Sequence, residues 1–165
     1  MESVYIETSI VSHATARPSI DIQMAALQQQ AREWWAKHGP KFDLVTSQLV
    51  IDEASAGDPS AAEERLRLLR PLLTVPIDNR VRALAGEIVA ASIMPHKAAA
   101  DALHVAAAAV AGVQYLLTLN CSHIANAREL PRIYRLLDDR GFGQLLICTP
   151  AEFLGSADDQ ESDSR

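Results

Sequence analysis

Cysteine is scarce in this sequence. The two present, Cys121 and Cys148, are too few for a disulfide scaffold and read as packed thiols of a reducing compartment. Long apolar runs are missing as well. The greasiest stretch, residues 98–113, is alanine-rich and broken by Asp101 and His104, short of the ~20 apolar residues that a membrane-spanning helix needs. The opening MESVYIETS has no basic segment ahead of an apolar one, so neither a secretory signal nor a transit peptide is predicted, and the cytoplasm is the expected location.

Positive charge is lacking too. A net charge of −6 excludes sequence-blind nucleic-acid binding through a broad basic footprint, although not a nuclease whose few cations are local. Half of that excess falls in residues 156–165, SADDQESDSR, which read as a solvated, disordered tail. Neither a GxxxxGK[ST] loop nor a GxGxxG turn occurs, which removes the usual phosphate cradles of NTPases and dinucleotide enzymes. Cys121-Ser122-His123 offers one C-x-H pair without the second pair that a structural zinc requires.

What is present is enough for one domain. The 165 residues are 48% apolar and 22% charged, the balance of a globular chain with a core. Short apolar strands are predicted at Val4–Ile6, Phe42–Thr46, Leu72–Ile77, Tyr115–Leu119 and Leu145–Cys148. Between them fall helices at Ile20–Lys37, Leu49–Ala56 behind a Ser47 cap, Ser60 to Pro71, Asp78 or Asn79 to Ser92, Ala98–Ala111 and Ala127–Arg140. Trp34 and Trp35 are read as core, and the EERLRLLR charges as a solvated helix face. Strands that are continuous apolar runs alternating with helices predict a mostly parallel five-stranded sheet covered on both faces, an α/β/α sandwich.

In such folds ligands sit beyond the carboxyl ends of the strands. Glu7 follows the first strand, Glu53 lies in the first turns of the helix after the second, Asp101 opens the alanine-rich helix, and Asn120 follows the fourth strand. Glu53 projects between Leu49 and Val50 on the apolar side of its helix, whereas Asp52 turns away. Asp101 is flanked by alanines, with Lys97 the one base nearby. Ionised carboxylates in an apolar setting must pair, take a proton or bind a metal, and several together repel one another unless a cation lies between them. Pairing of Glu53 with Arg17, and a capping role for Glu7, are the alternatives. Oxygen donors without a Cys or His cluster suit Mg²⁺ or Mn²⁺, and an ion in an acidic cleft suits phosphodiester hydrolysis. His104, three residues beyond Asp101, is read as a hydrogen-bonded core histidine ahead of a group that orients Asp101 or touches substrate.

The ordered set YIETS, VIDEA, AADALHVAAAA and YLLTLNCSHIAN resembles the PIN domain, specifically the VapC-like toxins of toxin–antitoxin pairs, over about residues 3–154. The resemblance implies a PIN-like domain over 1–155 and a ribonuclease dependent on Mg²⁺ or Mn²⁺. It implies Glu7, Glu53, Asp101 and Asn120 as the metal quartet and Ser9 as the accompanying hydroxyl. Two positions depart from the family pattern: Glu7 stands where Asp is usual, and Asn120 where a fourth Asp is usual, which removes one negative charge and puts a second metal position in question. It further implies an RNA substrate, a small antitoxin whose tail lies across the active site, and a homodimer. Local bases, namely Arg17, Lys97, His104, His123 and Arg128, are candidates to position RNA. The two departures motivate an alternative: a catalytically weak or inactive PIN module that binds RNA or protein. A receiver-like domain fits less well, because LLICTP supplies no lysine after the last strand.

Overall fold

Val4, Tyr5 and Ile6 have no exposed surface. A strand buried on both faces has no polar side to display, which is why this segment is an unbroken apolar run. In the computed structural model, which describes residues 1–91, 93–95 and 98–153, these residues form most of β1 (Ser3–Ile6). On one side β1 pairs with β2 (Asp43–Ser47), and on the other with β4 (Tyr115–Leu117), both in parallel. The edges are β3 (Leu73–Val75) and β5 (Leu146–Cys148), and the order is β3-β2-β1-β4-β5. Each edge strand is three residues long and turns one leucine outward, Leu73 at 70% and Leu146 at 52% exposure. Short edges offer little backbone for further pairing. The expected five-stranded sheet is present and entirely parallel.

Seven α-helices are found among the described residues. The one that the sequence reading left out is α1 (Thr8–Thr15), directly after β1 and capped by Glu7. The next, α2 (Ile22–Lys37), begins behind an Asp21 cap, and α3 (Gln48–Ala54) behind the expected Ser47 cap. Asp58 caps α4 (Pro59–Leu69), and Pro59 occupies its first turn. Asp78 caps α5 (Asn79–Ala90). The alanine-rich α6 (Ala99–Ala111) packs along α5 and ends at Gly112, whose φ of +73° favours glycine. Finally α7 (Leu130–Asp139) starts later than predicted, with Pro131 in its first turn.

The stretch Ala106–Ala109 of α6 is buried almost completely. With side chains of one carbon, α6 lies against its neighbours with little side-chain bulk, which positions both Asp101 and His104 close to the ends of β1 and β4.

The two ends of the sheet have different work. Trp34 of α2 packs on Phe42 and Phe153, with ring centroids 6.2 and 5.9 Å away, and Phe153 also meets Phe42 and Tyr115 at 5.7 and 5.5 Å. Phe42 and Tyr115 stand where β2 and β4 begin, so this aromatic cluster consolidates the amino ends of the strands. Trp34 is core as read, and Trp35 is partly buried against it. The carboxyl ends are left for polar groups. Helix α4 carries its charges on the surface, with Glu63 paired to Arg70 at 2.8 Å and Glu64 to Arg67 at 3.5 Å.

No helix among the described residues is long and apolar enough to cross a membrane. Cys121 is exposed, whereas burial pushes the Cys148 thiol up to about 12, leaving it protonated and without nucleophilic character at neutral pH. Lys97 and the acidic segment 156–165 lie outside the described residues.

Candidate metal centre

The strand order reverses between β1 and β4, and the groups of interest gather at their carboxyl ends, where such a switch opens a crevice. Glu7, immediately after β1, is 5% exposed. Its Oε2 accepts from the Ser9 backbone N–H at 3.1 Å, from the Thr118 hydroxyl at 2.7 Å and from the Ser9 hydroxyl in a short contact. Ser9 Oγ in turn accepts from the Leu119 N–H at 2.8 Å. The carboxylate is thus held by α1 on one side and by the end of β4 on the other.

Glu53, on the two-turn helix α3, has a side chain 34% exposed. Its Oε1 receives the Thr8 hydroxyl at 2.6 Å and lies 2.7 Å from His104 Nε2. Burial opposes ionisation of Glu53, but its hydrogen bonds with His104 and Thr8 work the other way, and its carboxyl is held below the usual carboxylate range. Among the described residues no hydrogen bond reaches Glu7 Oε1 or Glu53 Oε2, so each acid has one oxygen fixed by the protein and one available. Ligand atoms of Glu7, Glu53 and His104 all lie within 4.8 Å of one another.

Asp101, in the first turn of α6, joins this centre through Asn120. The Asn120 amide nitrogen donates to Asp101 Oδ1 at 3.1 Å, and its backbone N–H donates to Thr118 Oγ1 at 2.9 Å. Thr118 is itself bonded to Glu7. Asp101, Asn120, Thr118, Glu7 and Ser9 therefore form one connected network.

Asn120, expected among the metal ligands, is engaged by protein groups at both ends of its amide. Its carbonyl oxygen, the atom suited to a cation, accepts the His123 backbone N–H at 3.1 Å. The two bonds agree on the amide orientation, because a carboxylate needs a donor and an N–H needs an acceptor. Asn120 orients Asp101 and ties down the loop after β4. No arginine or lysine among the described residues pairs with Glu7, Glu53 or Asp101. The alternative partner for Glu53, Arg17, is exposed; its backbone carbonyl accepts from Gln28, and it borders a groove with Asp58, Glu64 and Arg65.

His104 is fully buried. It reaches Glu53, not Asp101, and has no surface to offer a substrate, in line with the core reading. His123 is half-buried and Arg128 exposed, both on the segment between β4 and α7. Tyr5, Thr8 and Thr118 were not singled out from the sequence. Their signal was a hydroxyl at or beside the carboxyl end of an otherwise apolar strand, which has to be spent on something when it is buried. Asp52 faces outward and is bonded to Gln48 at 2.7 Å.

The Ser9 bridge has a measurable consequence. Ser9→Ala removes the acceptor of the buried Leu119 N–H and a donor to Glu7, and an orphaned buried N–H costs about 1–3 kcal/mol. Denaturant unfolding is expected to show a loss in that range with an unchanged m-value.

The donor set fits a small divalent cation: carboxylate oxygens, each with a free lone pair, no thiolate, and repulsion that an ion relieves. A family model described as the PIN domain matches residues 4–125. No curated protein matches the chain. Among solved structures, the sarcin-ricin-loop-cleaving toxin VapC20 of Mycobacterium tuberculosis is similar, with 18% identity and a TM-score of 0.57 over 75% of this chain and 95% of that one. VapBC2 of Rickettsia felis, bound to a DNA fragment from its promoter, has 16% identity and a TM-score of 0.53 over 89% and 98%. VapBC-5 of Mycobacterium tuberculosis has 16% identity and a TM-score of 0.50 over 90% and 99%.

Proposed function

The chain belongs to the PIN-domain family, and from that membership we propose that it is a divalent-metal-dependent endoribonuclease of the VapC toxin type. The observation that carries the reading is the meeting of Glu7 and Glu53, remote in sequence, with one oxygen of each anchored by protein donors and the other left unbonded.

Glu7, Glu53 and Asp101 are the residues that would hold the ion, Mg²⁺ or Mn²⁺. Once bound, such an ion supplies Lewis acidity, activating water and neutralising charge at the scissile phosphate. The chain's own residues do the positioning. Ser9 and Thr118 fix the Glu7 carboxylate, Thr8 and His104 fix Glu53, and Asn120 holds Asp101. His123 and Arg128, on the loop beyond β4, and Arg17 and Lys97 are the cations proposed to steer RNA phosphates toward the cleft. The likeness to VapBC structures supports a small antitoxin as regulatory partner, and a homodimer in the cytoplasm completes the proposal.

Asn120 favours one second reading. With an amide in place of a fourth carboxylate and its carbonyl turned to His123, a binding module of low activity is the competitor. Incubation with a mixed RNA pool separates the two. Cleavage that requires Mn²⁺ or Mg²⁺ and stops with EDTA is expected. RNA binding without cleavage in either metal would favour the module, and EDTA-resistant cleavage would contradict both.

A further inference from the structure

His104 stands at the middle of a buried chain of hydrogen bonds. Its Nε2 is 2.7 Å from Glu53 Oε1, and its Nδ1 is 2.9 Å from the Tyr5 hydroxyl. That hydroxyl is 2.7 Å from Ser47 Oγ, which also receives the Val50 N–H at 3.3 Å as the cap of α3. Tyr5, Ser47 and His104 are all fully buried, so each hydrogen in the chain needs an acceptor inside the protein.

Only one direction satisfies every group with a neutral imidazole. If Nδ1 carried the hydrogen, Nε2 would turn a lone pair toward the Glu53 carboxylate at hydrogen-bond distance, and Tyr5 would donate to Ser47, whose own hydrogen would then have no acceptor among the described residues. In the opposite direction Ser47 donates to Tyr5, Tyr5 donates to Nδ1, and Nε2–H donates to Glu53. Val50 N–H completes the arrangement at Ser47.

We infer that Ser47, Tyr5 and His104 form a positioning relay that fixes the Nε2–H tautomer of His104, so that it clamps Glu53 Oε1 and presents Glu53 Oε2 to a metal ion without His104 becoming a ligand. This rests on the metal-nuclease reading for its purpose, although the relay itself belongs to the metal-free protein. It gives the cap of α3 a second task. The residue that starts the helix bearing Glu53 also sets the hydrogen that aims it. A glutamate has three rotatable bonds and α3 is short, so an aimed carboxylate gives up that freedom on folding instead of on metal binding.

Two measurements test it. Nitrogen NMR of the imidazole in the metal-free protein is expected to show His104 protonated at Nε2 and bare at Nδ1, unchanged when Mg²⁺ is added. A hydrogen on Nδ1, or loss of the Nε2 hydrogen with Mg²⁺, would overturn the relay and make His104 a ligand. Calorimetric titration with Mn²⁺ is expected to give H104Q, whose amide keeps a donor toward Glu53, an affinity within about threefold of wild type, and H104L a loss of about 10–100-fold. Y5F is expected to weaken Mn²⁺ several-fold in the wild-type background and to have no further effect in H104Q, a dependence that a purely structural role for Tyr5 would not produce. Should H104L not fold, Y5F and H104Q decide the matter. Equal affinities across these variants would overturn the relay, whereas absence of Mn²⁺ binding by the wild type would overturn the nuclease reading and leave the NMR result to judge the relay alone.

Discussion

Glu7→Gln is expected to cut RNA cleavage by at least about a hundredfold while leaving the fold in place. Loss of a partner that only orients a metal ligand typically costs about 10–100-fold, so removal of charge from a ligand sets that range as a floor. The fold is expected to survive because the Gln carbonyl can occupy the position of Glu7 Oε2 and accept the same three hydrogens from Ser9 and Thr118. Single-turnover cleavage assays with Mn²⁺, together with thermal unfolding of the same preparations, check both halves. An active Glu7→Gln protein would remove Glu7 from the chemistry, and an unfolded one would show that its charge is structural.

At the other end of the sheet, Trp34→Ala is expected to be strongly destabilising. Trp34 has no exposed surface and packs between Phe42 and Phe153. Truncating a buried Trp to Ala costs about 3–5 kcal/mol through lost transfer energy and the cavity left behind. Domains of this size have about 5–15 kcal/mol in total, so a large fraction of the stability goes at once. Its indole N–H finds no hydrogen-bond partner among the described residues, and Trp34→Phe, which removes that buried orphan, is expected to cost far less than Ala. Denaturant melts of the two variants supply the comparison. Because the cluster lies at the amino ends of the strands, Trp34→Phe should leave cleavage close to wild type.

The parallel sheet was legible because a strand buried on both faces must be apolar at every position, as Val4 to Ile6 and Leu116 to Leu117 are. Gly112 marked the end of α6 for a local reason, its positive φ. Helix α1 was hidden by composition. Its sequence, TSIVSHAT, is rich in β-branched and hydroxyl residues with weak helix propensity. What makes it helical is tertiary, the Glu7 cap and burial of Ile10 and Val11.

The same division holds at the site. Glu7 and Glu53, which the structure brings together, could be picked out because charge in apolar surroundings is conspicuous in a sequence. The role of Asn120 could not, since it depends on which way an amide is turned, and that is decided by His123 N–H and Asp101 together. His104 was legible as a hydrogen-bonded core histidine, but its partner was not: three residues along α6 from Asp101, it points across to Glu53 on α3, a relation that helical spacing alone does not contain.

The most direct test of the central claim, that these separate carboxylates are assembled to hold one divalent ion, is anomalous diffraction from crystals of the protein soaked in Mn²⁺. The account predicts a manganese peak between the free oxygens of Glu7 and Glu53, with Asp101 oriented toward it and Glu7→Gln crystals lacking the peak. Manganese bound elsewhere, or a cleft that stays empty at saturating Mn²⁺, would contradict it.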